Sequence, residues 1–437
     1  MKKLIILFIS IFLVSCTGAT TIPEPTSTPT KSLPTPFIVQ MTPTAQPVVD
    51  LGAQPDAIAG VKVAFWYALS GQQASLMEQE IAKFNLVNQY GIQMVPTRFN
   101  TIFELRTALT VNQKELPGLL LDQLSDLPED TIKPLDWLPY MQMADTGMDG
   151  NNFFGTRKDW NSVPFTRSAR FLLYNASFAQ ELGFRNPPKT FKEFETQICA
   201  ANQFWKTDDD LTNDYFGGYL LIGDSNWPEP ISWMINGGSQ QVFDLSNGKK
   251  VLLELETLRD EGCIWYTSED DILENLQARK TIITSVDIQS LAEVRSAINA
   301  LGIKDQIELI PYPGEVSAIL YGFDLIIPES EPKTQMGAYL FVRWLLEDER
   351  QVTWTRETSL LPVTRSASQR LSSEAGISSD IAISISALES AISITSFPDL
   401  NSTRYLIGDG FYEWITRYPF VQLEKIFDEI APFSNSD

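Results

Sequence analysis

The sequence predicts an α/β protein of two lobes, each a sheet covered by helices, and three observations carry that expectation. Between Val61 and Leu121 apolar runs suited to buried strands alternate with helical periods, in the order strand, helix, strand, helix, strand. From Phe171 a further buried strand feeds a short helix and then a second, capped helix. The chain beyond its N-terminal region holds roughly 380 residues, more than one hydrophobic core comfortably serves, so two are expected.

Val61 to Tyr67 reads as the first strand. Ala74, Met77, Ile81 and Phe84 then recur at helical spacing and mark one face of a helix. Ile92 to Pro96 is a second strand, Phe103 to Leu109 gives another helical face, and Leu119 to Leu121 is a third, wholly apolar strand. That order predicts a parallel sheet with right-handed crossovers, whose ligands bind beyond the carboxyl ends of the strands. Trp66 to Gly71, Phe99 to Thr101, and Asp122 with Gln123 fall there.

The stretch from Val163 to Glu195, VPFTRSARFLLYNASFAQELGFRNPPKTFKEFE, is the most specific in the chain. Phe171 to Tyr174 suits a buried strand, and the Asn175 side chain can cap a helix running to Leu182, with Gly183 supplying a left-handed ending. After Pro187 and Pro188, Thr190 and Glu193 form a capping box that opens a second helix. Further on, Ile231 to Asn236 is helical, with Gly237 and Gly238 after it, and Lys249 to Glu261 is a leucine-rich helix closed by Gly262. Ile282 to Val286 and Phe323 to Ile327 read as strands, Ile307 to Pro311 leads on to Tyr321, and an amphipathic helix ends near Leu346. The part after Glu347 reads as helical, and no internal repeat is visible.

The Val163–Glu195 string resembles the segment by which family 1 extracellular solute-binding proteins of ABC importers, the maltose- and glycerol-phosphate-binding group, pass from one lobe to the other. The resemblance spans roughly residues 60 to 365. It implies a periplasmic-binding-protein type II-like fold, two α/β lobes built from discontinuous segments around a ligand cleft, with 59–165 and 309–346 in lobe 1 and 166–308 and 347–437 in lobe 2. It implies capture of a carbohydrate, delivery to the permease subunits of an importer, no catalysis and no cofactor.

A sugar presents C–H faces and hydroxyl edges, so a site for it needs aromatic plates and planar polar groups. Trp66 with Ser70 and Gly71, and Asn100 and Asp122 at the next strand ends, fit that demand, with packing and loop solvation as their plainer roles. On the resemblance, Arg167 passes the cleft, where it would hold a diol, carboxylate or phosphate unless it forms a structural ion pair. Trp233 with Asn236 and Gly237 would offer an aromatic from lobe 2, and Tyr321 with Gly322 a tight turn that lets backbone approach ligand. Where relatives often carry Gly-Xaa-Trp, this chain reads Ser285, Val286, Asp287, Ile288. A lobe 2 aromatic plate is then missing, with Asp287 offering hydrogen bonds in its place.

Lys2 and Lys3 precede an apolar run from Leu4 to Val14, too short for the ~20 residues of a bilayer span and suited to a signal peptide over 1–15. Leu13, Val14, Ser15 and Cys16 resemble a lipoprotein lipobox, which implies lipid on Cys16 and a body anchored outside the cytoplasm by that lipid alone. Residues 16–58, rich in Thr and Pro, read as a tether reaching up to ~100 Å. With Cys16 lipidated, Cys199 and Cys263 remain as a pair in an oxidising compartment, a disulfide closing about 64 residues or else two buried thiols.

A net charge of −22 argues against nucleic acid as a partner. The chain contains no histidine, which excludes Ser-His-Asp and Cys-His nucleophilic chemistry and histidine-ligated metal. DDDLTND, with Asp208, Asp210 and Thr212, is a weak echo of a calcium loop that lacks its glycine and terminal glutamate, and no metal is expected. A monomer is expected. The alternatives are a polyol phosphate or acidic sugar held by Arg167, and, from other classes, a carboxylate-based glycoside hydrolase or a surface adhesion lipoprotein.

Overall fold

A computed structural model describes residues 55–112, 115–127, 131–137, 148–155, 160–207, 209–222, 228–237, 245–267, 272–374 and 376–394, together with 408, 410, 411, 414 and 425. The signal segment, Cys16, the tether up to residue 54 and Asp208 lie outside the described residues.

Strand β1 (Lys62–Tyr67), helix α1 (Gly71–Val87), β2 (Gln93–Arg98), α2 (Ile102–Val111) and β3 (Leu119–Asp122) follow in the expected order. Ala74, Met77, Ile81 and Phe84 are all buried, and Phe84 meets Phe341 and Trp344 edge-on at 5.0 and 5.7 Å between ring centroids. The side chain of Thr101 accepts from the Glu104 backbone at 3.1 Å and caps α2. The chain then enters β4 (Val163–Pro164) and crosses to β5 (Arg170–Asn175).

From β5 the chain runs through α3 (Ala176–Glu181), α4 (Phe191–Trp205), β6 (Gly217–Ile222), α5 (Pro228–Gly237), α6 (Leu245–Asp260), β7 (Ile264–Thr267), α7 (Ile272–Gln277), β8 (Thr281–Asp287), α8 (Leu291–Ala300) and β9 (Ile307–Ile310). Asn175 caps α3 by accepting from the Phe178 amide at 2.9 Å, Gly183 follows at φ +94°, and both halves of the Thr190–Glu193 capping box are present. The remaining elements are β10 (Ile319–Leu320), β11 (Asp324–Ile326), α9 (Pro332–Leu345), α10 (Asp348–Thr358), α11 (Arg365–Ser372), α12 (Ser379–Ala387) and β12 (Ile392–Ser393).

These strands build two five-stranded sheets of order β2-β1-β3-β11-β4 and β7-β6-β8-β5-β9, with β10 and β12 paired separately. In the first, β1 is parallel to β2 and β3, and β11 is inserted antiparallel between β3 and β4. In the second, β6 is parallel to β7 and β8, whereas β5 is antiparallel to β8 and β9. Each sheet has its own core, centred on Phe65, Leu121 and Phe341 in the first lobe and on Tyr174, Tyr219 and Trp233 in the second.

Two expected lobe boundaries are corrected. The resemblance puts the return into lobe 1 at residue 309, but Ile307–Ile310 pairs with β5 in the second sheet, and the chain returns to the first sheet only at Asp324. It also puts residues from 347 in lobe 2. Helix α10 instead packs on the first lobe: Trp354 lies 4.7 Å from the Phe165 ring, and Arg350 bonds Glu80 of α1 at 2.9 Å. Both errors have one cause, since an apolar strand or helix face does not record which of two sheets it covers.

Cys199 of α4 and Cys263 ahead of β7 are joined, with Cα atoms 4.6 Å apart. Replacing both by serine should lower stability by about 4 kcal/mol on the chain-entropy estimate for such a loop. Denaturant melts of oxidised and reduced protein check this, and coincident curves contradict it.

Candidate ligand-binding cleft

Three chain segments join the lobes. Residues 165–169 run from β4 to β5, residues 321–323 return from β10 to β11, and a third passes Leu361 between α10 and α11. They hold one another by backbone pairing: Ser168 and Tyr321 exchange N–H···O bonds of 2.8 and 3.1 Å, and the Leu361 amide donates to the Arg167 carbonyl at 2.8 Å.

In the first lobe the carboxyl ends of the strands carry the expected residues, with different exposures. Trp66 is half-buried and meets Phe99, the residue after β2, edge-on at 5.3 Å. Ser70, Gly71 and Asn100 are exposed in the loops opening α1 and α2. Asp122 is fully buried, and its carboxylate accepts from Arg106 Nε at 3.0 Å and Nη2 at 2.6 Å and from the Gln123 amide at 2.7 Å. It therefore fixes the strand end through an ion pair and is closed off from solvent.

Arg167 is likewise corrected. It is 4% exposed, donates through Nη1 to the carbonyls of Thr166 and Phe323 at 2.8 and 3.0 Å, and pairs through Nη2 with Asp324. The plainer role, a structural ion pair, is the one it plays. Trp233 is also corrected: it is 0% exposed, boxed by Phe194, Tyr312 and Tyr219 at 4.5, 5.0 and 5.6 Å, and donates from Nε1 to the Tyr219 hydroxyl at 3.3 Å. It is a core residue because α5 lays its apolar face on the second sheet. Asn236 and Gly237 end α5, and their surroundings lie outside the described residues.

Asp287 ends β8 and is already engaged. It accepts from Ser168 Oγ at 2.7 Å, from the Gln289 amide at 2.8 Å and from the Tyr321 hydroxyl. The smallness of Gly322 serves the crossing strands: an added Cβ would lie 2.2 Å from the Thr166 carbonyl oxygen. Asp210 of the acidic loop accepts from the Thr212 amide and hydroxyl at 3.0 and 2.5 Å, the geometry of a self-capped turn.

Sequence reasoning missed two residues that meet across the lobes. Gln73, in the first turn of α1, donates to Gln289, just beyond β8, at 3.2 Å. Gln73 lies two residues past Gly71 in the turn that opens α1 at the strand end, so position alone could have flagged it. A second missed feature is buried Arg170, which donates to Ser285 Oγ at 3.0 Å and stands 3.6 Å from Glu229. Burial disfavours its charge, but Glu229 together with Tyr321, Tyr312 and Asp287 outweighs that and holds the guanidinium more strongly protonated than usual.

Burial, reinforced by neighbouring carboxylates, lifts several tyrosines. Tyr219 and Tyr321 stand well above the ordinary value beside Glu229 and Asp287, and Tyr67 and Tyr174 are pushed up to about 12. Above pH ~10 the unfolded chain releases these protons before the folded one, so stability present below pH 10 falls as pH rises. Melting temperatures between pH 9 and 12 should decline steadily, and a flat profile would contradict these environments.

Two α/β lobes are joined by three crossings, and Gln73 and Gln289 meet between them. A family profile for bacterial extracellular solute-binding proteins matches residues 81–384. The chain belongs to that family, which places it outside the cytoplasm. It is 21% identical over 344 residues to the sn-glycerol-3-phosphate-binding periplasmic protein UgpB of Yersinia pestis, covering 71% of this chain and 76% of that protein.

Among solved structures, the sugar-binding protein MalE of Xanthomonas citri superposes with a TM-score of 0.68 at 16% identity, covering 86% of this chain and 97% of that one. UgpB of Mycobacterium tuberculosis in complex with glycerophosphocholine gives 0.62 at 13% identity, covering 85% and 97%. These two likenesses are of fold.

Proposed function

We propose that the protein is the substrate-binding lipoprotein of an ABC importer, capturing a neutral carbohydrate between its lobes and passing it to the permease. The observation that carries the choice of ligand is the engagement of Arg167 by Asp324 and two carbonyls. A phosphate or acidic sugar needs a cation to offset its desolvation. The strand ends supply aromatic, amide and hydroxyl groups, Trp66 beside Phe99 with Ser70, Asn100, Gln73 and Gln289, and the cation at the end of β2, Arg98, is paired with Glu78 at 3.3 Å. The MalE-like fold and the sugar-binding name of that neighbour support this reading, whereas the UgpB relative supports the polyol-phosphate alternative.

On the same reading residues 1–15 are removed, Cys16 carries lipid, 16–58 form the tether, and the body acts as a monomer. With the boundaries moved as described, lobe 1 holds the first sheet with α1, α2, α9, α10 and the stretch at Val363, and lobe 2 holds the second sheet with α3 to α8.

A thermal-shift screen tests the ligand, since a compound that binds only the folded state raises the melting temperature. A mono- or oligosaccharide should shift it, and glycerol 3-phosphate should not. A shift with glycerol 3-phosphate alone sinks the carbohydrate reading. Intact mass of membrane-extracted protein should begin at a lipidated Cys16, and an unmodified N-terminus elsewhere would remove the anchor.

A further inference from the structure

Adjacent residues of the first crossing strand are tied to opposite sheets. Arg167 reaches back to Asp324 on β11, whereas Ser168 Oγ donates to Asp287 at the end of β8 at 2.7 Å. The returning strand divides in the same way: the Tyr321 hydroxyl donates to Asp287, while the Phe323 carbonyl accepts from Arg167 at 3.0 Å. Between them stands Gly322 at φ +137°, a conformation and a closeness to Thr166 that only glycine tolerates. The change from one sheet to the other falls at a single level in both strands, the place where a rotation of the lobes would be absorbed. Asp287 gathers both second-sheet ties on one carboxylate. That carboxylate also accepts from the Gln289 amide at 2.8 Å, and so fixes the turn whose Gln289 side chain meets Gln73 across the cleft.

We infer that Asp287 is a positioning residue that couples closure of the cleft to the crossing strands. Drawing Gln73 and Gln289 together steadies the turn after β8, and through Asp287 the same turn clamps Ser168 and Tyr321 to the second sheet. Asp287 acts through these groups, since its carboxylate is occupied by Ser168, Tyr321 and Gln289. The inference rests on the reading of the body as a binding protein that closes, and it adds the residue that transmits the closure.

Hydrogen exchange of the full chain without ligand tests it. Asp287→Asn should speed exchange at the Ser168 and Tyr321 amides about fivefold, the effect of losing roughly one net hydrogen bond. Gln73→Ala, which touches neither crossing strand, should speed the same amides by about twofold, and in the double variant the two factors should fail to multiply. Amides indifferent to Gln73→Ala, or factors that multiply, overturn the coupling. Should Asp287→Asn not fold, Tyr321→Phe combined with Ser168→Ala carries the same test. No ligand is present, so failure here is separate from failure of the carbohydrate reading, which shows only in the thermal-shift screen.

Discussion

Replacing Arg167 by alanine is expected to lower stability by about 3–5 kcal/mol, because it takes a buried guanidinium away from the Asp324 carboxylate, which also accepts from Ser162 Oγ at 2.5 Å. Both side chains are only 5% exposed, and Arg167 also donates to two backbone carbonyls that would lose a partner. The denaturant midpoint reads the loss directly. A variant in which Arg167 and Asp324 are both leucine should recover most of it, since no charge is then left buried alone. If Arg167 contacted ligand instead, Arg167→Ala would melt like the wild type and lose binding, and that result would reverse the assignment.

Trp233→Ala should also cost about 3–5 kcal/mol, the usual penalty for removing a fully packed aromatic from a core. Its neighbours Phe194, Tyr219 and Tyr312 would line the void, and Tyr219 would lose the indole donor. Trp66→Ala should behave in the opposite sense. Half-buried at a strand end, it should leave the melting temperature nearly unchanged and weaken carbohydrate binding by roughly 1–3 kcal/mol. Calorimetry and thermal melts on the same two variants separate the roles. Equal loss of binding in both would put Trp233 back at the ligand.

What the sequence made legible was local. The capping side chains of Asn175, Thr190 and Glu193 and the buried face of α1 are decided within a few residues, and all stand as read. The pairing of distant segments was not legible. Nothing in the Ile307–Ile310 run distinguishes an edge place beside β5 from a place in the first sheet. The site failed in a related way. Trp233, Arg167 and Asp122 are residue types that suit a ligand and suit a core or ion pair equally, and partners far along the chain, Tyr312, Asp324 and Arg106, decided each one. The crossing level at Ser168 and Tyr321 rests on three segments meeting, which no single window contains.

The insertion of β11 between β3 and β4 sets an order of events during synthesis. β4 has β11 as its one neighbour among the described strands of the first sheet, so Val163 and Pro164 have no strand to join until Asp324–Ile326 has been made. By then every strand of the second sheet, ending at Ile310, is already available to pair. The amino-terminal lobe begins first and finishes last, and its parallel trio waits with the edge of β3 uncovered. An open edge held for that long invites pairing with other chains, so a slow or truncated synthesis that stops before Asp324 should yield aggregates and not a smaller folded protein.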